Sequence, residues 1–527
     1  MHLVPCFVRK LGKMMTYFLS IDYGGTNTKA IIVDAYGKQM GVSSFETLRI
    51  EKQSGYREVD LLKTWQAISS SIKEVLSKTR IDAKDIAAVS CIGHGKGLYL
   101  LDKKGKEFVN GILSTDARAS TLAKQFEASI DQIWPLTQQH VFAVQSPVLL
   151  RWLKDNQPSI YQEIGFVLSA KDYVRFKLTG KINQEYGDAS GNHWINFQTG
   201  TYDSDLLSFF GIEEMKASLP ELVDCRELVG GVTPQAAEAT GLAVGTPVVA
   251  GLFDIDACAI GSGVLDDKTF SVISGTWNIN TYPSKKAASQ MSGQMNSYFL
   301  DKSFLVEASS PTSAGNLDIV LKLLMSEEMQ NVKKEGKESI YDTLEVFLKE
   351  TDAAYQNLLF FPFLYGSNAS ADAKACFFGL TSTSSKSEML RAVYEGISFA
   401  HKQHIDQLIA GRGRVPDKIR LSGGASNSKA WMQLFADVLN IPIEIVEGTE
   451  LGGLGGAIIA LQATQGLSLE EAVAQMVRVK ERFTPNLSEH KIYCAKYHVY
   501  QEVLVAMEPV WKGLRALENL KGEKGDG

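Results

Sequence analysis

Asp22 closes an apolar run, Tyr17-Phe-Leu-Ser-Ile-Asp22, and a turn Tyr23-Gly24-Gly25-Thr26-Asn27-Thr28-Lys29 follows before a second apolar run begins. A glycine pair bares backbone N–H groups and, lacking Cβ, lets the chain come close to a ligand. Consecutive N–H groups in a turn form an anion-binding nest. Thr26, Asn27 and Thr28 add neutral donors and Lys29 a positive one. A carboxylate beside such a turn would repel phosphate, unless a divalent cation bridges the two. The set therefore reads as a Mg²⁺–polyphosphate site with Asp22 on the metal side. Taken alone, the turn fits an ordinary hairpin with an incidental aspartate equally well.

A second turn of the same kind lies far downstream. In Lys268–Pro283, an apolar strand runs into Ser274-Gly275-Thr276 and a further strand-like stretch follows. Two such turns suggest one phosphate chain gripped from two sides. Neither is a Walker or dinucleotide loop, because each needs a helix directly after its glycines, and no GxxxxGK[ST] occurs.

The elements that must carry these turns alternate between strand-like and helix-like patterns, which is an α/β arrangement. Tyr17–Asp22 and Lys29–Asp34 read as strands, and Asp34-Ala-Tyr-Gly turns the chain back toward Gln39. Two strand–turn–strand units about 250 residues apart look like a duplicated core, one per domain. Between them, Pro247–Gly263 leaves a strand and enters a small-residue helix, with the domain boundary just after it. "SKSEMLRAVYEGISFAHKQHIDQLI" opens with Ser385-x-x-Glu388, a capping-box spacing, and puts Leu390, Val393, Ile397 and Ala400 on one face. "NSKAWMQLFADVLN" does the same with Trp431, Leu434, Phe435 and Val438. Gly452–Ala460 reads as a tightly packed helix start, and the last residues as a structureless tail.

The chain has 527 residues, 22% charged and 45% hydrophobic, with a net charge of −6. That is a globular composition long enough for two domains. It offers no basic stripe for nucleic acid, and no apolar run long enough to span a membrane. Six cysteines without CxxC pairing read as buried free thiols of a reducing compartment. The start mixes basic residues with short apolar patches but lacks the apolar core of a signal peptide. Residues 1–15 are accordingly expected to precede the functional start, Met14 or Met15, of a cytoplasmic protein.

The order "IDYGGTNTK … GLFDIDACAIGSG … SVISGTW … RLSGGASNSKAWMQLFADVLNIPI" resembles the FGGY carbohydrate kinases of the actin/hexokinase superfamily, from about Tyr17 to about Arg482. "GHGKGLYLLD", "ILSTDARA", "PVLLRWLK", "EASSPTSAGNLD" and "FLYGSNA" look like its L-xylulose kinase branch. The resemblance implies two actin/hexokinase-like (ribonuclease H-like) α/β domains flanking a cleft, at 16–263 and 264–515, with a tail at 516–527. It implies ATP and Mg²⁺, a small ketose such as an L-xylulose-type pentulose as acceptor, and is compatible with a homodimer. Asp254, in Gly251-x-x-Asp254-x-x-Ala257, takes the position of the catalytic base. A carboxylate there could remove the proton of an attacking hydroxyl; it could also cap the following helix, and Asp256 is a nearby competitor.

Gly24, Gly25, Thr26 and Asn27, with Gly275 and Thr276, take the family's phosphate-binding positions. Gly423, Gly424, Ala425 and Asn427 take the adenosine position, although Gly423-Gly424 would also serve a tight strand–helix turn. His94, Lys96, Gly97, Asp116 and Arg118 fall where the family builds a polyol-binding surface, and Asp188 near a further sugar-site segment. Lys96 as a surface lysine and Arg118 as a structural ion pair are the plainer alternatives. Two departures concern the sugar side. Leu149 replaces the signature lysine of "K-[apolar]-x-W", and Gly-His-Gly-Lys-Gly stands where many relatives have Gln-Met-His-Gly. Rival readings are a kinase of the same family for erythritol, glycerol, D-ribulose or D-xylulose, an actin- or chaperone-like ATPase, and a non-catalytic sugar sensor.

Overall fold

The structure, a computed structural model, describes residues 16–522 apart from 289, 290, 292, 336–338, 368, 369 and 371. The runs flanking Gly24-Gly25 form β1 (Tyr17–Tyr23) and β2 (Asn27–Asp34), an antiparallel hairpin with Asp22 opposite Lys29. Asp34 turns the chain by accepting the Tyr36 and Lys38 amides at 2.8 and 3.0 Å, which starts β3 (Gln39–Glu46). On the other side of β1, β4 (Ile86–Gly93) and then β6 (Pro247–Phe253) add in parallel, and β5 (Leu228–Gly231) closes the edge. The sheet order is β5-β6-β4-β1-β2-β3.

The second half repeats this plan. β7 (Thr269–Ser274), β8 (Asn278–Ser284) and β10 (Phe304–Ser310) form the meander, and β11 (Lys418–Ser422) and β12 (Ile443–Val446) add in parallel. β9 (Met295–Tyr298) and β13 (Val479–Phe483) complete a seven-stranded sheet, β9-β10-β8-β7-β11-β12-β13. The order β6-β4-β1-β2-β3 of the first sheet thus recurs as β12-β11-β7-β8-β10 in the second, which adds β9 at its edge.

Each sheet has one face covered by helices of its own half. On the first, α1 (Leu61–Thr79) starts where the Asp60 carboxylate accepts the Lys63 amide and buries Leu61, Ile68, Ile72 and Val75 beside α2 (Ala170–Thr179). On the second lie α4 (Ala314–Leu324), α5 (Lys386–Arg412) and α6 (Lys429–Leu439). α5 begins with the Ser385–Glu388 capping box, and its expected apolar face, like that of α6, is buried.

The remaining faces meet through an exchange. α3 (Asp254–Gly261), from the first half, sets Ile255 and Ala259 against Ile273, Ile279 and Leu305 of the second sheet. α7 (Leu451–Gln465), from the second half, sets Leu454, Ile458 and Leu461 against Phe18, Ile31, Ile92 and Val249 of the first. The glycines of Gly452–Ala460 permit this. A Cβ on Gly455 would collide with the Ala257 carbonyl, one on Gly261 with that of Leu451, and one on Gly453 would sit 2.6 Å from Ile31. Ser20 ties the layer by donating to the Gly453 carbonyl at 2.7 Å.

Other expectations change in detail. The last helix, α8 (Leu487–Gly522), continues through the first part of the segment 516–527 expected to be a tail; residues 523–527 and 1–15, with Met14, Met15 and Cys6, lie outside the described residues. The five described cysteines are free, but Cys258 and Cys376 are half-buried and Cys494 is exposed rather than buried. Among the described residues no helix is long and apolar enough to cross a membrane.

Candidate active site

The first turn is braced from behind. Gly24 N–H donates to the Asn27 carbonyl at 3.1 Å and Thr47 N–H to that of Thr26 at 2.8 Å, while Thr47 Oγ1 donates to the Gly24 carbonyl at 2.9 Å. The amides of Gly25 and Thr26 have no acceptor among the described residues. Thr26 and Asn27 are exposed. Lys29, expected to add charge to the turn, instead pairs with Glu450 at 2.7 Å, just before α7.

The second turn is built alike. Gly275 N–H donates to the Trp277 carbonyl at 3.3 Å, its own carbonyl accepts the Gly315 amide at 3.2 Å, and Thr276 and Trp277 stand exposed. The expected adenosine segment touches this turn. Gly423 has φ +93, where glycine alone is comfortable, and a Cβ there would lie 2.5 Å from the Ser274 carbonyl oxygen. Gly424 and Asn427 are exposed, whereas Ala425 is buried in the core and offers a ligand only its backbone.

Asp254 is the first residue of α3, one past the cap position at Phe253, where no side chain makes a cap bond. The residue is half-buried. Burial, reinforced by the Asp22 charge and further by Asp188 and Glu307, pushes its pKa up to about 8, against the pull of the Ile255 amide. Asp22 rises to about 6, chiefly through burial, with Lys29 working against the rise. The Asp22 carboxylate lies beside the head of α7 and beside Cys258 of α3; a Cβ on Gly452 would be 3.6 Å from each. Two electrostatically coupled carboxylates, one from β1 and one from α3, therefore share the foot of the first turn. Asp256 is turned inward, 2% exposed, with its Oδ2 near Gly187.

The expected sugar residues separate into two groups. Lys96 is half-buried with φ 66, its ammonium 5.7 Å from the Phe142 ring centre, and no carboxylate pairs with it among the described residues. Its loop rides on the residue before Asp254, since a Cβ on Gly95 would strike the Phe253 ring. The others lie behind this surface. His94 is buried, 2.8 Å from the Tyr99 hydroxyl, and burial drives its pKa down to about 4, leaving a neutral ring. Gly97 serves the loop itself. Its amide donates to Val144 at 2.7 Å, its carbonyl accepts from Ser146 Oγ at 2.8 Å, and a Cβ would sit 2.6 Å from the Ile112 carbonyl.

Asp116 and Arg118, expected on the polyol surface, are bonded to each other and to their neighbours. Both Asp116 oxygens are taken, Oδ1 by Arg118 N and Nε at 2.9 Å and Oδ2 by Arg57 N at 2.6 Å and Arg118 Nη2 at 2.9 Å. Arg118 also donates to Glu58 at 2.8 Å, and its guanidinium lies 4.5 Å from the Tyr56 ring and 5.3 Å from that of Trp152. The Arg118 and Asp116 side chains are 2% and 0% exposed, which fits the alternative of an ion pair that braces the wall. Breaking such a buried pair leaves a charge uncompensated. Arg118→Met should cost about 3 kcal/mol, read as a lower denaturant midpoint; an unchanged midpoint would return Arg118 to the ligand surface.

Asp188 likewise sits in a buried charge cluster. The Lys171 ammonium lies 3.0 Å from Asp172, 3.3 Å from Asp188 and 3.4 Å from Glu185, and Arg175 is 2.6 Å from Asp172. Burial weakens the Lys171 charge, but these carboxylates outweigh it and hold its pKa above the ordinary value. Burial also raises Glu185, to about 7, and Asp188. The backbone of Lys171 lies against Gly93, the last residue of β4 and the one before His94. Nothing in the sequence marked Lys171, Tyr99 or Glu307 as neighbours of the site, although Glu307 opens the segment "EASSPTSAGNLD".

Comparison with known proteins bears on this geometry. The N-terminal-domain model of the FGGY family of carbohydrate kinases matches residues 17–261, and the C-terminal-domain model residues 270–464. The chain is 34% identical over 500 residues to a probable L-xylulose kinase of Pasteurella multocida, covering 94% of this chain and 99% of that one. It is 32% identical over 505 residues to an L-xylulose/3-keto-L-gulonate kinase of Escherichia coli, covering 94% and 98%. Its fold is similar to a ligand-bound xylulose kinase of Lactobacillus acidophilus, with a TM-score of 0.84 at 23% identity over 95% and 100% of the chains. It is also similar to Plasmodium falciparum glycerol kinase with ADP, with a TM-score of 0.81 at 19% identity over 93% and 98%. With both family models matched in order and relatives alike over nearly their whole length, this chain is a sugar phosphotransferase and belongs to the FGGY family of carbohydrate kinases.

Proposed function

We propose that this chain transfers the γ-phosphoryl group of Mg-ATP to a terminal hydroxyl of an open-chain pentulose of the L-xylulose type, within domains spanning 16–263 and 264–515. The observation that carries the reading is Asp254, a half-buried residue on the head of α3, its carboxyl coupled to Asp22 at the foot of a glycine turn with free amides. The names of the relatives in Pasteurella multocida and Escherichia coli supply the acceptor class.

Asp254 takes the proton as the acceptor oxygen bonds to the γ-phosphorus, and the bond from that phosphorus to the β-bridging oxygen breaks to release ADP. The amides of Gly25, Thr26 and Thr276 donate to the phosphate oxygens, and the open backbone of Gly423-Gly424 receives the adenosine. Asp22 suits Mg²⁺, which is usually held by one or two carboxylates and the substrate's own phosphates; its raised pKa marks a charge short of a partner, and Lys29 is committed to Glu450. When bound, the ion neutralises phosphate charge.

A panel of ketoses and polyols in a coupled ADP-release assay tests the reading, with L-xylulose expected to lead. 3-Keto-L-gulonate belongs in the panel, because the unpaired Lys96 ammonium suits an acceptor that carries a carboxylate. ATP turnover indifferent to every sugar would end the proposal.

The same geometry sets a pH dependence. Asp254 acts only when deprotonated, so kcat/KM with both substrates subsaturating should rise with pH through about 8. Asp22→Asn removes a like charge that helps hold Asp254 protonated. The rising limb should then move to lower pH even though the rate falls. A limb that stays in place would assign it to another group.

A further inference from the structure

Behind the second glycine turn runs a chain of fully buried polar side chains: Ser274, Ser313, His401, Asn280 and Asn278. Ser274 Oγ lies 2.8 Å from Ser313 Oγ, Ser313 Oγ 2.8 Å from His401 Nε2, and His401 Nδ1 3.1 Å from Asn280 Oδ1. The direction of each bond follows from Asn280. Its Nδ2 donates to the Ala308 carbonyl at 3.0 Å and to Asn278 Oδ1 at 2.7 Å, so its Oδ1 is the acceptor that faces His401. Burial keeps the imidazole neutral, with its pKa well below the ordinary value, and a neutral ring has one donor and one acceptor. Nδ1 therefore carries the proton, Nε2 accepts the Ser313 hydroxyl, and the Ser313 oxygen accepts the hydroxyl of Ser274.

Ser313 occupies the N-cap position of α4, yet its side chain makes no cap bond. A serine there ordinarily caps the helix and stabilises it. Here the hydroxyl is drawn back to His401 and Ser274. The same helix start is fastened to the turn, since Gly315 N–H donates to the Gly275 carbonyl at 3.2 Å and a Cβ on Gly315 would stand 3.1 Å from Thr276 Cα. Local stability would favour the cap, and departures of this kind gather at functional sites.

We propose that His401 is a positioning residue for the second phosphate turn, holding Gly275-Thr276 and the head of α4 in register through Ser313 and Ser274. This rests on the reading of that turn as a phosphate-binding element. α5 supplies the anchor, and the His401 ring is fixed edge-on against Phe435 at 5.2 Å.

His401→Phe keeps a flat ring but has neither donor nor acceptor. His401→Gln offers an amide oxygen to Ser313 and an N–H to Asn280. Ser313→Ala cuts the same link from the other side and serves if the Phe variant does not fold. In the full-length protein, His401→Phe and Ser313→Ala should raise the Kd and KM for Mg-ATP about tenfold and leave the KM for L-xylulose unchanged; His401→Gln should recover most of the ATP affinity. A lower melting temperature with wild-type ATP affinity in both disruptive variants would overturn the inference, and ATP-dependent sugar turnover would leave the kinase reading standing. Wild-type protein that binds no Mg-ATP would end both.

Discussion

Asp254→Asn should keep ATP bound and lower kcat by at least about a hundredfold, the low end of what a general base contributes. Asparagine preserves the outline of the side chain at the head of α3 but cannot accept the proton of the attacking hydroxyl. The variant also tests the electrostatics. A carboxyl raised to about 8 by burial and by Asp22 binds its proton more tightly in the folded chain than in the unfolded one. Such a group costs stability as pH rises from its unfolded value toward about 8. Asparagine never ionises, so near pH 8 the variant should melt no lower than the wild type while losing its activity. Calorimetric ATP titration, single-turnover kinetics and thermal melts check the three parts. Turnover near the wild-type rate would move the base elsewhere, with Asp256 the next residue to substitute.

Gly25→Val should weaken ATP binding about a hundredfold without unfolding the protein. The backbone at Gly25 lies outside the left-handed region, and an added Cβ meets only Ser114 Oγ, at 3.7 Å. What the branched side chain blocks is the approach of a phosphate to the amides of Gly25 and Thr26. Two hydrogen bonds to a charged group, at about 1.5 kcal/mol each, amount to roughly a hundredfold in affinity. Gly24→Val is the contrasting substitution. Its Cβ would stand 2.5 Å from the Asn27 carbonyl oxygen, so it should disturb the hairpin itself and lower the denaturant midpoint. An unchanged ATP dissociation constant for Gly25→Val would remove the first turn from the phosphate site.

The parts of the fold readable in the sequence are those set by local chemistry. The two glycine turns, the Asp34 return, the capping box at Ser385 and the stripes of α5 and α6 depend on residues a few positions apart, and all stand where the pattern puts them. The exchange of α3 and α7 was not readable. An apolar, glycine-rich helix announces that it will be buried but not which sheet it will cover, and α7 shows this most plainly. On the sugar side the sequence reads less far, for a related reason. Residue type cannot tell a polar side chain that waits for a ligand from one already satisfied. Arg118 and Asp116 complete each other and His94 answers Tyr99, whereas Asp188 lies 3.3 Å from the Lys171 ammonium with its Oδ2 lacking a hydrogen-bond partner. Lys96 escapes this only because no carboxylate reaches it among the described residues.

The reciprocal placement of α3 and α7 bears on how the protein is made. As the chain leaves the ribosome, the strands of the first sheet emerge long before Leu451–Gln465, the helix that covers one of its faces. Until then Phe18, Ile31, Ile92 and Val249 have no native cover on that side. Expressed alone, the N-terminal half keeps that apolar face uncovered and should aggregate. Supplied together as separate polypeptides, the two halves should rescue one another by docking α7 and α3 in trans.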